Sequence, residues 1–171
     1  MKIIKNNFIL LFVLVFSMSL VAQTATGDIE MYLDNIIDNV PSSSGGNYSD
    51  PSTSELDTWN TAINFLLANN LASARSNVSG LNYQVTEFTD TSISPNQIFY
   101  VLEKESSGSN YWGTYVFSKT PTRNNLIIQA PHIRNDTNTG QQAVHCFKNT
   151  VARAVFISGT HRCNSSSFSP C

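Results

Sequence analysis

The chain has 171 residues, 41% of them hydrophobic and 13% charged, with a formal net charge of −2 at neutral pH. That length suits one domain with a single core, and the acidic balance leaves no basic face for phosphates, which excludes nucleic acid as the principal partner. Three cysteines are too few for a disulfide scaffold.

Residues 1–22 read as a secretory signal peptide. Lys2 and Lys5 precede an apolar run from Phe8 to Val15 that continues through Phe16, Met18 and Leu20 to the small and polar Ala22-Gln23-Thr24-Ala25. The run is short for a membrane span, so a secreted or periplasmic protein without a stable membrane anchor is expected. Residues 23–54 hold a short helix and a connector. Ile29, Tyr32, Leu33, Ile36, Ile37 and Val40 recur at helical spacing, Pro41 stops the helix, and a Ser/Gly/Pro-rich stretch follows. A second helix starts at Thr53 or Ser54 and carries Leu56, Trp59, Ile63, Leu66, Leu67 and Leu71 to about Ser76, opening an α/β domain over residues 55–171.

From Leu81 the apolar period changes to two. Tyr83–Phe88, Ile98–Leu102 and Tyr111–Phe117 read as three strands of an antiparallel meander, and Leu126–Ala130 as a fourth strand. A helix follows, with Thr139 as N-cap, Gln142 three residues later, and Ala143, Val144, Phe147 and Val151 as its buried stripe; Ala154-Val-Phe-Ile157 closes a βαβ unit. The fold class is therefore α/β: N-terminal helices, then a mixed sheet ending in a parallel βαβ unit. Such a sheet ordinarily continues, so the domain is expected to be incomplete at its C-terminus.

Parallel strands put His132 and His161 at one carboxyl edge of the sheet, where open α/β sheets take ligands. His132, Arg134 and Asp136 share a five-residue loop before the helix, and Arg162 follows His161. Two histidines and a carboxylate form the usual protein ligand set of a hydrolytic zinc site. Seven carboxylates and no Lys or Arg lie between Gln23 and Ala74, whereas seven bases and three acids lie after Thr91, so the histidine-bearing half would suit an anionic substrate. Cys163 and Cys171 flank a short loop and are expected to pair; Cys146 is read as a buried small apolar residue and His145 as a surface residue. Trp112, Gly113 and Tyr115 read as sheet packing rather than a carbohydrate platform.

The pattern of strand, Pro131-His132, Asp136, Thr139 at a helix start, and a later strand ending in Ser158-Gly-Thr-His161 resembles the poly-γ-glutamate hydrolases and related zinc carboxypeptidase-like amidohydrolases, over about residues 125–162. The resemblance implies a metal-dependent amide or peptide hydrolase. His132, Asp136 and His161 would hold zinc, and Arg162 or Arg134 would grip an acidic peptide-like or small-molecule substrate. In that group a later glutamate serves as general base. No Asp or Glu follows Asp136 here, which leaves Glu87, Asp90, Glu103 and Glu105 as upstream candidates, or a continuation of the chain. The rival expectation is a non-catalytic secreted module that binds a cell-surface polymer or protein, its histidines capping strands. A phosphoesterase holding an oxyanion at the Thr139 helix start is a third. Neither the oligomeric state nor the substrate is legible.

Overall fold

Period-two stretches of apolar residues build the sheet, and helices cover both of its faces. The computed structural model describes residues 23–42, 48–133 and 136–164. The expected signal peptide, Arg134 and Cys171 lie outside the described residues. The elements run β1 (Thr24–Gly27), α1 (Ile29–Asp38), α2 (Thr53–Leu67), α3 (Leu71–Val78), β2 (Tyr83–Asp90), β3 (Gln97–Lys104), β4 (Thr114–Ser118), β5 (Arg123–Ala130), α4 (Thr139–Thr150) and β6 (Ala152–Ile157). They form an α/β fold around one six-stranded mixed sheet of order β1-β2-β3-β4-β6-β5.

The outer pairs β1/β2 and β5/β6 are parallel, and β2, β3, β4 and β6 pair antiparallel in succession. The expected meander and the expected βαβ unit β5-α4-β6 are both present. Strands β3, β5 and β6 therefore end, and β2 and β4 begin, along the same edge of the sheet.

Alternation sorts each strand between two cores. Phe88, Phe99, Val101, Val116, Val155 and Ile157 face α1 and α4, which contribute Ile29, Leu33, Ile37, Val144 and Phe147. Tyr83, Val85, Tyr100, Leu102, Phe117 and Ala154 face α2 and α3, with Ala62, Leu66, Ala74 and Val78. Phe147 is fully buried, its ring 5.3 Å from that of Phe99. Burying a side chain of that size contributes about 1.5–3 kcal/mol.

Three local expectations are corrected. The single second helix is two, because Ala68 caps α2 and Asn69 takes a left-handed backbone (φ 58°) before Asn70 caps α3. Its start at Thr53 is as expected, behind the N-cap Ser52, whose side chain accepts from the Glu55 backbone while Glu55 accepts from the Ser52 backbone, a reciprocal capping box. Helix α4 is entered through a left-handed Asn138 with no side-chain cap, and Thr139 is its first helical residue rather than its cap. Cys146 is exposed with a free thiol, because the buried stripe of α4 runs through Gly140, Ala143, Val144 and Phe147 and leaves position 146 outside. Cys163 is disulfide-bonded, as expected.

The acid-rich front and the base-rich rear meet each other within the fold. Lys148 of α4 reaches Asp28 and Glu30 at the start of α1, so part of the charge segregation is internal pairing. Asp34 has no such relief. Burial first, then the charges of Glu30, Asp38 and Asp28, push its carboxyl above the ordinary value of 3.8, and nothing hydrogen-bonds its buried Oδ1 among the described residues. A folded-state pKa above the unfolded one means that ionised Asp34 costs stability as the pH rises through the folded value, and that the cost is absent below the unfolded value. Asp34→Asn is expected to raise the unfolding temperature by about 2 °C at neutral pH. Thermal unfolding repeated in acid below the unfolded carboxyl value should show the difference gone.

Candidate functional site

The β5/β6 register aligns Ala130 with Ile157, and the Ser158 amide donates to the Ala130 carbonyl at 3.1 Å. His132, two residues beyond β5, and His161, four beyond β6, thus leave the sheet at one edge. Each loop is folded by short-range bonds. The His132 carbonyl accepts from the Thr139 hydroxyl (3.0 Å) and the Asp136 amide (3.3 Å). The Thr139 hydroxyl also reaches the Asp136 carbonyl at 3.1 Å. The side chains of His132 and Asp136 are exposed.

His161 is tied inward. Its amide donates to the Pro41 carbonyl, and its Nδ1 accepts from the Cys163 amide at 3.1 Å. Buried Asn164 extends the anchorage by donating its side-chain N–H to the Ser42 carbonyl. The segment after β6 is thereby fastened to the segment after α1. Arg162 is exposed on this fastening turn.

These placements bear directly on zinc. Among the described residues no group of three or more His, Cys, Asp or Glu side chains could hold a metal ion, so His132, Asp136 and His161 are not gathered into one. Through Nδ1, His161 caps the turn beyond β6.

What the same edge does present is a cleft of about 420 Å³. Its walls come from the end of α1 and the residues after it (Asn35, Ile36, Asn39, Val40, Pro41), the start of β2, the end of β3, and Tyr111, Gly113, Thr114 and Gly159. Backbone meets backbone at its base: a Cβ on Gly113 (φ +115°) would lie 2.5 Å from the Ile157 carbonyl, and one on Gly159 would lie 2.5 Å from the Gly113 nitrogen.

No protein-family model, curated protein or solved structure matches this chain.

The cleft wall at residues 111–114 is held by aromatic hydroxyls. Tyr83 donates to the Gly113 carbonyl and accepts from the Trp112 amide, both at 3.0 Å, while Tyr115 donates to the Trp112 carbonyl. Burial keeps the Tyr83 phenol far above its ordinary pKa of 10, so it remains a donor throughout the usual pH range. Trp59 meets Tyr83 edge-on (4.7 Å) and Tyr115 at 5.1 Å, and Trp112 stacks on Tyr83. These rings pack on one another, as the sequence leads one to expect.

Glu103, 7% exposed at the end of β3, is the buried carboxylate of the cleft. Its Oε1 accepts from the Tyr32 hydroxyl (2.7 Å), the Thr86 hydroxyl (2.8 Å) and the Gln84 amide (3.2 Å); among the described residues Oε2 is reached only by the same Tyr32 hydroxyl, at 2.9 Å. Burial first, and the Glu103 charge second, hold the Tyr32 phenol far above its ordinary value, which fixes it as donor. The sequence names Glu103 only as one of several upstream acids. Its register carries a sharper signal, because Phe99, Val101 and Glu103 occupy alternate positions on one buried face.

Proposed function

We propose that this chain is a secreted binding module for a cell-surface polymer and that it takes its ligand in the cleft at the carboxyl edge of β3 and β6. One observation carries the reading: the cleft occupies the edge where α/β sheets place ligands and has a buried carboxylate in its lining. The turn-capping role of His161 supports it, since the imidazole is then part of the scaffold. The test is retention on insoluble peptidoglycan with and without chelator. Retention should be indifferent to chelator and should weaken about tenfold in Tyr111→Ala, which removes an aromatic wall. Absence of retention overturns the reading.

The second reading is the metal-dependent amide hydrolase, acting on an acidic peptide-like or small-molecule substrate. It is favoured by one observation, that His132 and His161 leave adjacent parallel strands at a common edge. Zinc bound by the purified chain with sub-micromolar affinity and lost in His161→Ala would establish it, and chelator would then abolish whatever activity the chain shows.

A further inference from the structure

Glu103 is a buried carboxylate for which the described residues supply hydrogen-bond donors but no counter-charge. Tyr32, Thr86 and Gln84 are all neutral, and no Lys or Arg among the described residues forms an ion pair with Glu103. A carboxylate taken out of water without an opposite charge is costly, and a cationic ligand that reaches it recovers that cost. The two oxygens are unequally served. Oε1 has three donors, whereas Oε2 shares the single hydrogen of Tyr32 and retains acceptor capacity.

The walls above this carboxylate decide what can reach it. Ile36, Val40 and Pro41 supply carbon to the lining that Glu103 shares, so the cleft suits a slender apolar stem. The cation of the cleft itself is committed elsewhere. Lys104, next to Glu103 in β3 and therefore on the opposite face, donates to the Glu105 and Gly108 carbonyls, both at 2.9 Å, and sits 5.1 Å over the Tyr111 ring.

Resting on the binding-module reading, we infer that the cleft recognises the alkylammonium side chain of a basic amino-acid residue in a peptide, its amine on Glu103 Oε2 and its methylene stem along Ile36 and Val40. The polymer bound would then be one that carries free-amine peptide branches. The experiment is calorimetric binding of two capped tripeptides to the whole chain: one with a central lysine and its Nε-acetylated twin. The lysine peptide should bind at least about tenfold more tightly, the discrimination lost when a buried charge is left unpaired. Glu103→Gln should remove the difference while thermal unfolding confirms the fold. The wild-type comparison stands on its own if that variant does not fold. Equal or absent binding of the two peptides, with peptidoglycan still retained, overturns the inference and leaves the cleft reading intact. An undiminished preference in Glu103→Gln also overturns it. Loss of both peptide and peptidoglycan binding takes the two readings down together.

Discussion

Lys148→Met is expected to destabilise the fold by about 3 kcal/mol, the cost of removing one partner from a buried charge cluster. Lys148, with a side chain only 10% exposed, places its ammonium 2.6 Å from Asp28, 3.6 Å from Glu30 and 3.9 Å from Asp90. Asp28 and Glu30 reach solvent and can rehydrate. Asp90 cannot: it is fully buried at the end of β2, its Oδ1 takes two bonds from Ser92, and its Oδ2 has no hydrogen-bond partner among the described residues. The Lys148 ammonium is the positive charge that faces this buried carboxyl. It also joins α4 to the start of α1 and the end of β2, so its loss loosens three elements together.

Urea unfolding at neutral pH should show that loss, with a fall in unfolding temperature on the order of 10 °C. Adding Asp90→Asn to Lys148→Met should recover a good part of it, because the stranded charge is gone. A single-variant cost below about 1 kcal/mol would make the cluster an ordinary surface arrangement. The pH dependence follows from the two partners. The Lys148 hydrogen bond leads the effects that hold Asp28 below its ordinary 3.8, so its share of stability is present above that value and is lost as pH falls through the lower folded one. On Lys148, burial pulls downward but is outweighed by the Asp28 hydrogen bond and the carboxylate charges. The net rise above 10.5 means that its share is present below that value and is lost as pH rises through the folded one. Between those limits the contribution is flat.

The parallel unit β5-α4-β6 could be read from sequence because two short apolar runs flank an amphipathic stretch, and the handedness of such crossovers leaves one arrangement. Strand β1 could not. Thr24–Gly27 has no apolar pattern and exists because β2 offers it a parallel partner, a tertiary cause invisible in four residues. The break between α2 and α3 carries no glycine or proline; Asn69 adopts the left-handed turn that separates them. For the site, strand order put the two histidines at one edge, but the anchoring of His161 depends on an amide from Cys163 that folds back in the tertiary turn. Glu103 is legible by register, as the acid that continues the buried face of Phe99 and Val101. The cleft itself is assembled from the end of α1 and the loops of four strands, so no local segment announces it.

Gly159→Ala should be among the costliest single substitutions at this edge, at about 3 kcal/mol, the upper part of the range for overpacking. A methyl there would lie 2.5 Å from the Gly113 nitrogen and closer still to the Tyr111 carbonyl. Both are backbone atoms, so no rotamer change relieves the contact. The residues entering β4 must instead move away from those leaving β6, against the Tyr83 bonds to Trp112 and Gly113. Because the same backbone forms the base of the cleft, ligand retention should fall along with stability under conditions where the variant is still folded. Gly80→Ala provides the control, since its new methyl would meet nothing within 4 Å, and the stiffer unfolded chain should leave stability unchanged or slightly raised. Equilibrium urea unfolding of the two variants separates the cases. If Gly159→Ala matches Gly80→Ala in midpoint and slope, the two loops are not packed backbone to backbone, and the cleft loses the rigid base on which its binding role depends.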